Sequence, residues 1–403
     1  MKWWGSDKDR KNERVYLDWA SATPLLPEAK VAMEPFLGSD FGNASSIHKE
    51  GQVARETVEG ARDRVARALQ TRSEYVTFTA GGTEANNLAI LGTVNYLHHN
   101  ERNYSEMEIV TTRIEHPSVS RVVEYLSGLG VLVKYVDVDE EGFVILAHLR
   151  ELLSESTVLF SVAYANSEIG VVQKLHRLKK VLREAEERFG SKIMFHLDGA
   201  QAPLWLNCQM DSAGADLLSL DSGKFCGPKG VGLLVSSKRA KVENVIYGGG
   251  QEAGLRPGTE NVAGIVGAGT AMADAQANWR ERAQIARAVR DEGIKILLKD
   301  IPEAILNGPS GEYRLANNIN ISIPYLDTEY ATVWLDSKGF SVSTKSACSG
   351  AGGGESVVVK VVSNNSVRAS STLRFTIGPD TSISQLQKLA NNLRKFIDKT
   401  TNL

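Results

Sequence analysis

Short apolar runs alternate with helical patterns between about residue 50 and residue 240. "GQVARETVEGARDRVARAL" sets Val53, Val58, Ala61, Val65 and Leu69 along one side of an amphipathic helix. "EYVTFTA", "MEIVTT", "VLVKYVDV", "STVLFSVAY", "KIMFHLD" and "DLLSLD" read as buried strands, and their spacing predicts an α/β unit built on a mostly parallel sheet. "GVGLLVSS" follows the last run too closely for a crossover helix and is predicted to return antiparallel, as a seventh strand. The texture changes after "GLRPGTEN". Asn261 to Asp300 is one long helical stretch rich in Ala and Arg. It is followed by "NNINISI", a helix near "TEYATVWLDSKG", "FSVST", "TLRFTI" and a last helix from about Ser382. We expect a large domain over 15–260 and a smaller α+β domain over 261–403, joined by residues 1–14. The one low-complexity patch is "SGAGGGES", Ser349 to Ser356.

Composition narrows the classes. A chain of 403 residues is long for one compact core, which agrees with two domains. A net charge of −2 without a basic stripe argues against direct nucleic-acid binding. No window approaches the apolar length of a membrane span. The start, "MKWWGSDKDRKNERV", is charged and lacks the apolar run of a signal peptide, so a cytoplasmic setting is expected. Three cysteines, Cys208, Cys226 and Cys348, make no disulfide framework; each is a small core residue or a reactive thiol. No metal site is predicted.

Parallel sheets of this kind carry ligands at the carboxyl ends of their strands. After "YVTFT" comes "AGGTEANNLAI". Gly81 and Gly82 admit close backbone approach, and Thr83 is a suitable N-cap for a helix from Glu84. That turn is an anion site or a plain capped turn. His116 stands after "IVTT", as a packing residue or a catalytic one, and Asn166 stands after "LFSVAY". Asp198 ends an apolar strand, where a carboxylate wants a cation, an N–H partner or an Asx turn. "DSGK" puts Lys224 in a glycine-flanked bend after the sixth run. An anion cradle, a histidine, an asparagine, a buried carboxylate and a lysine at one sheet edge suit pyridoxal 5'-phosphate. Its phosphate takes a helix N-terminus, its ring nitrogen a carboxylate, and its aldehyde the Schiff base of a lysine.

The chain resembles cysteine desulfurases of the NifS/IscS type, in the class V aminotransferase-like group. The resemblance rests on "VYLDWASATPL", "GNASSIHKEG", "FTAGGTEANNLAI", "EHPSV", "NSEIGVVQ", "HLDGAQ", "GKFCGPKGVGLL", "GGGQEAGLRPGTENVAGIVG", "SACSG" and "TLRFTIG", in order from about residue 15 to 378. It implies the aspartate-aminotransferase-like fold (fold type I), with Lys224 carrying pyridoxal phosphate and His116 stacked on the ring. Asp198 would pair with the ring nitrogen, and Gln201 and Asn166 would lie near the ring hydroxyl. Gly82 and Thr83 would bind phosphate, joined by Thr259 from the second subunit of a homodimer. Arg374 would clamp the substrate carboxylate. Cys348 would take sulfur from L-cysteine as a persulfide, alanine would leave, and a glycine-rich tract would let the sulfur reach an acceptor protein. Iron–sulfur assembly and tRNA thiolation are both open destinations.

Two stretches depart from the family. Where the family has Ser-Gly-His-Lys, this chain has Asp221-Ser222-Gly223-Lys224. Asp221 would repel a phosphate by about 4 kcal/mol per pair of unit charges ~4 Å apart. It therefore turns away to cap a backbone turn, or meets a cation. Ser222 and backbone N–H groups are the natural substitutes. After Cys348 a valine run of β propensity replaces the family's Leu-Glu-Pro-Ser element. The alternatives are another lyase or aminotransferase of this fold, such as a selenocysteine lyase, and a non-catalytic scaffold.

Overall fold

Each of the six apolar runs becomes a strand of one sheet in a computed structural model that describes residues 14–344 and 354–401. The chain enters on β1 (Val15–Tyr16), away from that sheet. The sheet itself holds β2 (Val76–Thr79), β3 (Glu108–Thr111), β4 (Leu132–Tyr135), β5 (Thr157–Ala163), β6 (Met194–Asp198), β7 (Leu217–Asp221) and β8 (Gly232–Ser236). Their order is β2-β8-β7-β6-β5-β3-β4. β8 runs antiparallel to both its neighbours, as its short connection requires, and the other strands share one direction.

Successive strand residues enter different cores, so the runs are apolar throughout rather than alternating. Ile109 and Leu159 pack with Ile90, Val94, Val119 and Val123 of the helices Gly82–His99 and Pro117–Gly128. Val110 and Phe160 join the other face, with Leu178, Val181 and Leu182 of the helix Leu175–Phe189.

The second unit contains β9 (Ile305–Leu306), β10 (Asn318–Ser322), β11 (Phe340–Ser341) and β12 (Thr372–Thr376). β10 is antiparallel to β9 and β12, and β11 pairs parallel with β1. From β1 the chain crosses to the large sheet by Thr23, whose N–H donates to the Gly223 carbonyl. The helix Val262–Asp300 runs the length of both units: Gly269 lies on Ala61 of the helix Lys49–Ala68, and Gly293 lies on Leu386 of the helix Ile383–Thr401.

One sequence expectation fails here. The valine run forms a helix, Val357–Ser363. Ser356 caps it by accepting the Val359 N–H at 3.0 Å, and Asn364 ends it in the left-handed region. Val358, Val359 and Val362 then bury one face against Ile114, Phe143, Ile169 and Val171. Packing and caps together outweigh a modest intrinsic preference. Among the described residues, no helix is long and apolar enough to cross a membrane.

Candidate active site

The carboxyl ends of β2, β3, β5, β6 and β7 open onto one cavity of about 160 Å³. Gly82, Thr83, His116 and Asn166 line it, together with Asp198, Gln201, Lys224 and Arg374. Ser222 does not join them. It is wholly buried, and its hydroxyl lies against Gly227 with no hydrogen-bond partner. Thr259 is exposed and also outside the lining. Cys348 lies outside the described residues.

Each strand end fixes its residue by local chemistry. The first helix after β2 begins at Gly82, with Gly81 as the N-cap, so Thr83 sits inside the first turn rather than capping it. Glu84 reaches back to accept the Ala80 N–H at 2.8 Å. The Gly82 N–H is taken from across the sheet by Asp221 Oδ2 at 3.1 Å, and Asp221 Oδ1 accepts the Gly223 N–H at 2.9 Å. Asp221 thus caps two backbone turns, one of the two outcomes the sequence allows.

His116 caps the next helix, where Pro117 fits the first position because no N–H is needed there. Its Nδ1 accepts the Ser118 N–H at 3.1 Å and lies 2.7 Å from the Ser118 hydroxyl. An accepting Nδ1 puts the neutral ring's proton on Nε2. Asn86 Nδ2 donates to Ser118 Oγ at 2.8 Å and to Asp198 Oδ2 at 2.9 Å. A hydrogen-bonded chain therefore runs from His116 to Asp198. Asp198 Oδ1 accepts the Ala200 N–H at 3.0 Å in an Asx turn, so this buried carboxylate keeps a partner on each oxygen.

Glu115 is a further acid of the cavity, beside Asp198, and its position in "EHPSV" gave no sign of it. Burial pushes its carboxyl up to about 8 against the pull of Thr112, which donates to it at 2.6 Å; the Asp198 charge adds to the rise. Asn166 is used structurally: Nδ2 donates to the Ile114 carbonyl at 2.9 Å, and Oδ1 accepts the Glu168 and Ile169 N–H groups. Gln201 donates to the Ala20 carbonyl at 3.0 Å.

Ser21 anchors two cations. Its carbonyl accepts from Lys224 Nζ, and its hydroxyl accepts from Arg374 at 2.9 Å. Arg374 also pairs with Asp18 at 2.9 Å and donates to the Ser167 carbonyl. Asn86 Oδ1 and Arg374 Nε, both on lining residues, are buried without a partner. Such atoms suit a polar ligand, and the carboxylate oxygen on Gly82 shows that the helix N-terminus accepts an anion. The residues present fit pyridoxal phosphate, since an amine, a buried carboxylate, an imidazole and a helix N-terminus face one cavity.

Known proteins resemble this chain over nearly its whole length. The family model described as Aminotransferase class-V matches residues 15–389. A protein named cysteine desulfurase IscS from Dictyoglomus turgidum is 39% identical over 96% of this chain and 95% of its own length. One of the same name from Clostridium botulinum is 35% identical over 96% and 95%. A solved structure titled NIFS-like protein superposes with a TM-score of 0.87 at 30% identity, covering 96% of this chain and 99% of that one. On the extent of these matches and the geometry of the strand-end site, the chain belongs to the class-V aminotransferase family of pyridoxal phosphate-dependent enzymes.

Proposed function

We propose that the chain is a cysteine desulfurase: it takes sulfur from L-cysteine, releases L-alanine and holds the sulfur as a persulfide on Cys348 for an acceptor protein. One observation carries the reading. Lys224, Asp198, His116 and Arg374 border a single cavity. Ser343 is bridged to Arg374, and Val358 lines the cavity wall.

When bound through Lys224, pyridoxal phosphate supplies an electron sink for the bonds at the substrate's Cα. Asp198, steadied by Asn86 and the Ala200 N–H, would hold the ring nitrogen. Glu115 remains neutral up to about pH 8, so it adds no second charge there. Arg374 presents a guanidinium, already oriented by Asp18, Ser21 and Ser167, to the substrate carboxylate. His116 moves protons at Nε2, since Nδ1 is committed to Ser118. Gly82 and Thr83 take the phosphate, with Thr259 supplied by the second subunit of a homodimer. The Cys348 thiolate attacks the substrate sulfur. An S–S bond forms as the C–S bond breaks, and the electron pair left on carbon takes a proton to give alanine.

The test is the visible spectrum of the purified protein, followed by alanine and persulfide after adding L-cysteine. Lys224→Ala is expected to lose both the cofactor band and turnover; a variant that keeps both overturns the assignment. Turnover of selenocysteine but not cysteine would instead favour a selenocysteine lyase.

A further inference from the structure

One donor at the turn after β2, the Gly82 N–H, is already taken by a carboxylate of the chain itself. Asp221 ends β7 and turns its carboxylate onto the first turn of the helix Gly82–His99. Besides the hydrogen bond to Gly82, the packing is close: a Cβ on Gly82 would stand 3.3 Å from Asp221 Oδ2, and one on Gly81 3.8 Å. Asp221 lines the same cavity as Gly82, Thr83 and Lys224. Its second oxygen is held by Gly223, so the side chain is fixed from both sides.

Returning the family's histidine would press on Asp221 itself. A Cβ on Gly223 would stand 3.2 Å from Asp221 Oδ1 and 3.5 Å from Lys229 Cγ. Ser222, the other substitute, faces Gly227 and offers the cradle nothing.

We propose that Asp221 is a built-in anion that occupies the cofactor's phosphate cradle, so that the phosphate binds only by taking the Gly82 N–H from it. This rests on the pyridoxal phosphate reading above. A carboxylate and a phosphate cannot share one donor set without repelling each other. The Gly82 N–H is satisfied without cofactor, and the cofactor's phosphate gains less from it on binding than it would at a turn with a neutral partner. The chain therefore discriminates weakly between pyridoxal phosphate and pyridoxal, which lacks the phosphate but keeps the aldehyde.

The experiment titrates cofactor-stripped full-length protein with each compound, reading the visible band of the Lys224-bound cofactor. A third arm titrates inorganic phosphate and reads the thermal midpoint. Asp221→Asn and Asp221→Ser are compared with the native chain. One hydrogen bond to a charged group corresponds to about 10- to 150-fold in affinity. Both variants are expected to bind pyridoxal phosphate tighter by that factor and pyridoxal unchanged. Because each protein supplies its own ratio of the two affinities, a general loss of stability does not mimic the result. Gly223→His is expected not to tighten binding. An unchanged or lower ratio in both Asp221 variants overturns the proposal. So does tight native binding of pyridoxal phosphate that EDTA abolishes, since a cation would then bridge Asp221 to the phosphate. If no protein forms the band with either compound, the cofactor reading fails, and the phosphate arm still decides. A larger midpoint shift in the variants supports the occupied cradle, and an equal shift overturns it.

Discussion

Which thiol carries the sulfur can be decided from the two cysteines that the described structure contains. Cys208 and Cys226 are 0% and 2% exposed. Burial raises the Cys226 thiol from 9.0 to about 11, against a hydrogen bond from Thr23, and pushes the Cys208 thiol up as well. A rise of two units leaves about 100-fold fewer Cys226 thiolates at neutral pH. The more basic thiolate is intrinsically the better nucleophile, which returns roughly 6- to 10-fold. The net loss from ionisation is about 10-fold, and attack on a buried sulfur further requires local opening. Cys226 is also held from both sides: its N–H donates to Thr23 Oγ1 at 2.8 Å, and its carbonyl accepts from the Leu26 N–H. Brief treatment of the native protein with iodoacetamide at pH 7.5, followed by peptide mass spectrometry, is expected to label Cys348 at least 10-fold faster than Cys226 or Cys208. Labelling of Cys226 should grow as pH rises toward 11. After L-cysteine is added, the extra sulfur should sit on the Cys348 peptide alone, and Cys348→Ala should retain cofactor but lose persulfide. A persulfide on Cys226 or Cys208 in native protein would refute the reasoning.

Two further predictions concern the cavity walls. Arg374→Lys keeps the charge but loses the planar fork, so KM for L-cysteine is expected to rise about 10- to 150-fold with the cofactor band retained; a KM within twofold of native removes Arg374 from substrate binding. Glu115 binds its proton more tightly folded than unfolded, 4.5 moving to about 8. The stability it contributes is present at low pH and is lost as pH rises from about 4.5 to 8, by an amount on the order of 5 kcal/mol. Glu115→Gln is therefore expected to gain on the cofactor-free native protein as urea denaturation is repeated from pH 5 to pH 9, and a gap that does not change with pH contradicts a neutral Glu115.

Much of the site was legible because a parallel sheet brings distant chain segments to one edge. Gly82, His116, Asn166, Asp198 and Lys224 each stand just past an apolar run, and that position marked them without any contact being known. Residues that reach the cavity from further along carry no such mark. Asn86 is four positions beyond Gly82, hence on the same helix face, and that spacing could have found it. Glu115 precedes the histidine that drew attention, and its neutrality comes from burial that no local pattern records. The valine run misled for a related reason: its helix depends on a cap from Ser356 and on a wall of Ile114, Phe143 and Ile169. Ser222 misled because a tight bend decides side-chain direction residue by residue, and here it turns the hydroxyl into the core.

The position of Asp221 is set by the sheet's single reversed strand. β2 and β7 both end at the cavity, but β8 lies between them. Because β8 is antiparallel, it begins at that edge, and its first residue, Gly232, pairs with Thr79 on one side and Asp221 on the other. A Cβ on Gly232 would stand 2.3 Å from the Gly81 carbonyl carbon, so only glycine leaves room for the turn after β2 to close over it. With no side chain standing between them, the carboxylate at the end of β7 reaches across β8 to the Gly82 N–H. The same gap serves a short hydroxyl or a carboxylate equally well in space, and only charge separates the two. A substitution at the end of β7 can therefore change how the cradle treats an anion while leaving the strand order, the Lys224 bend and the Asp198 carboxylate in place.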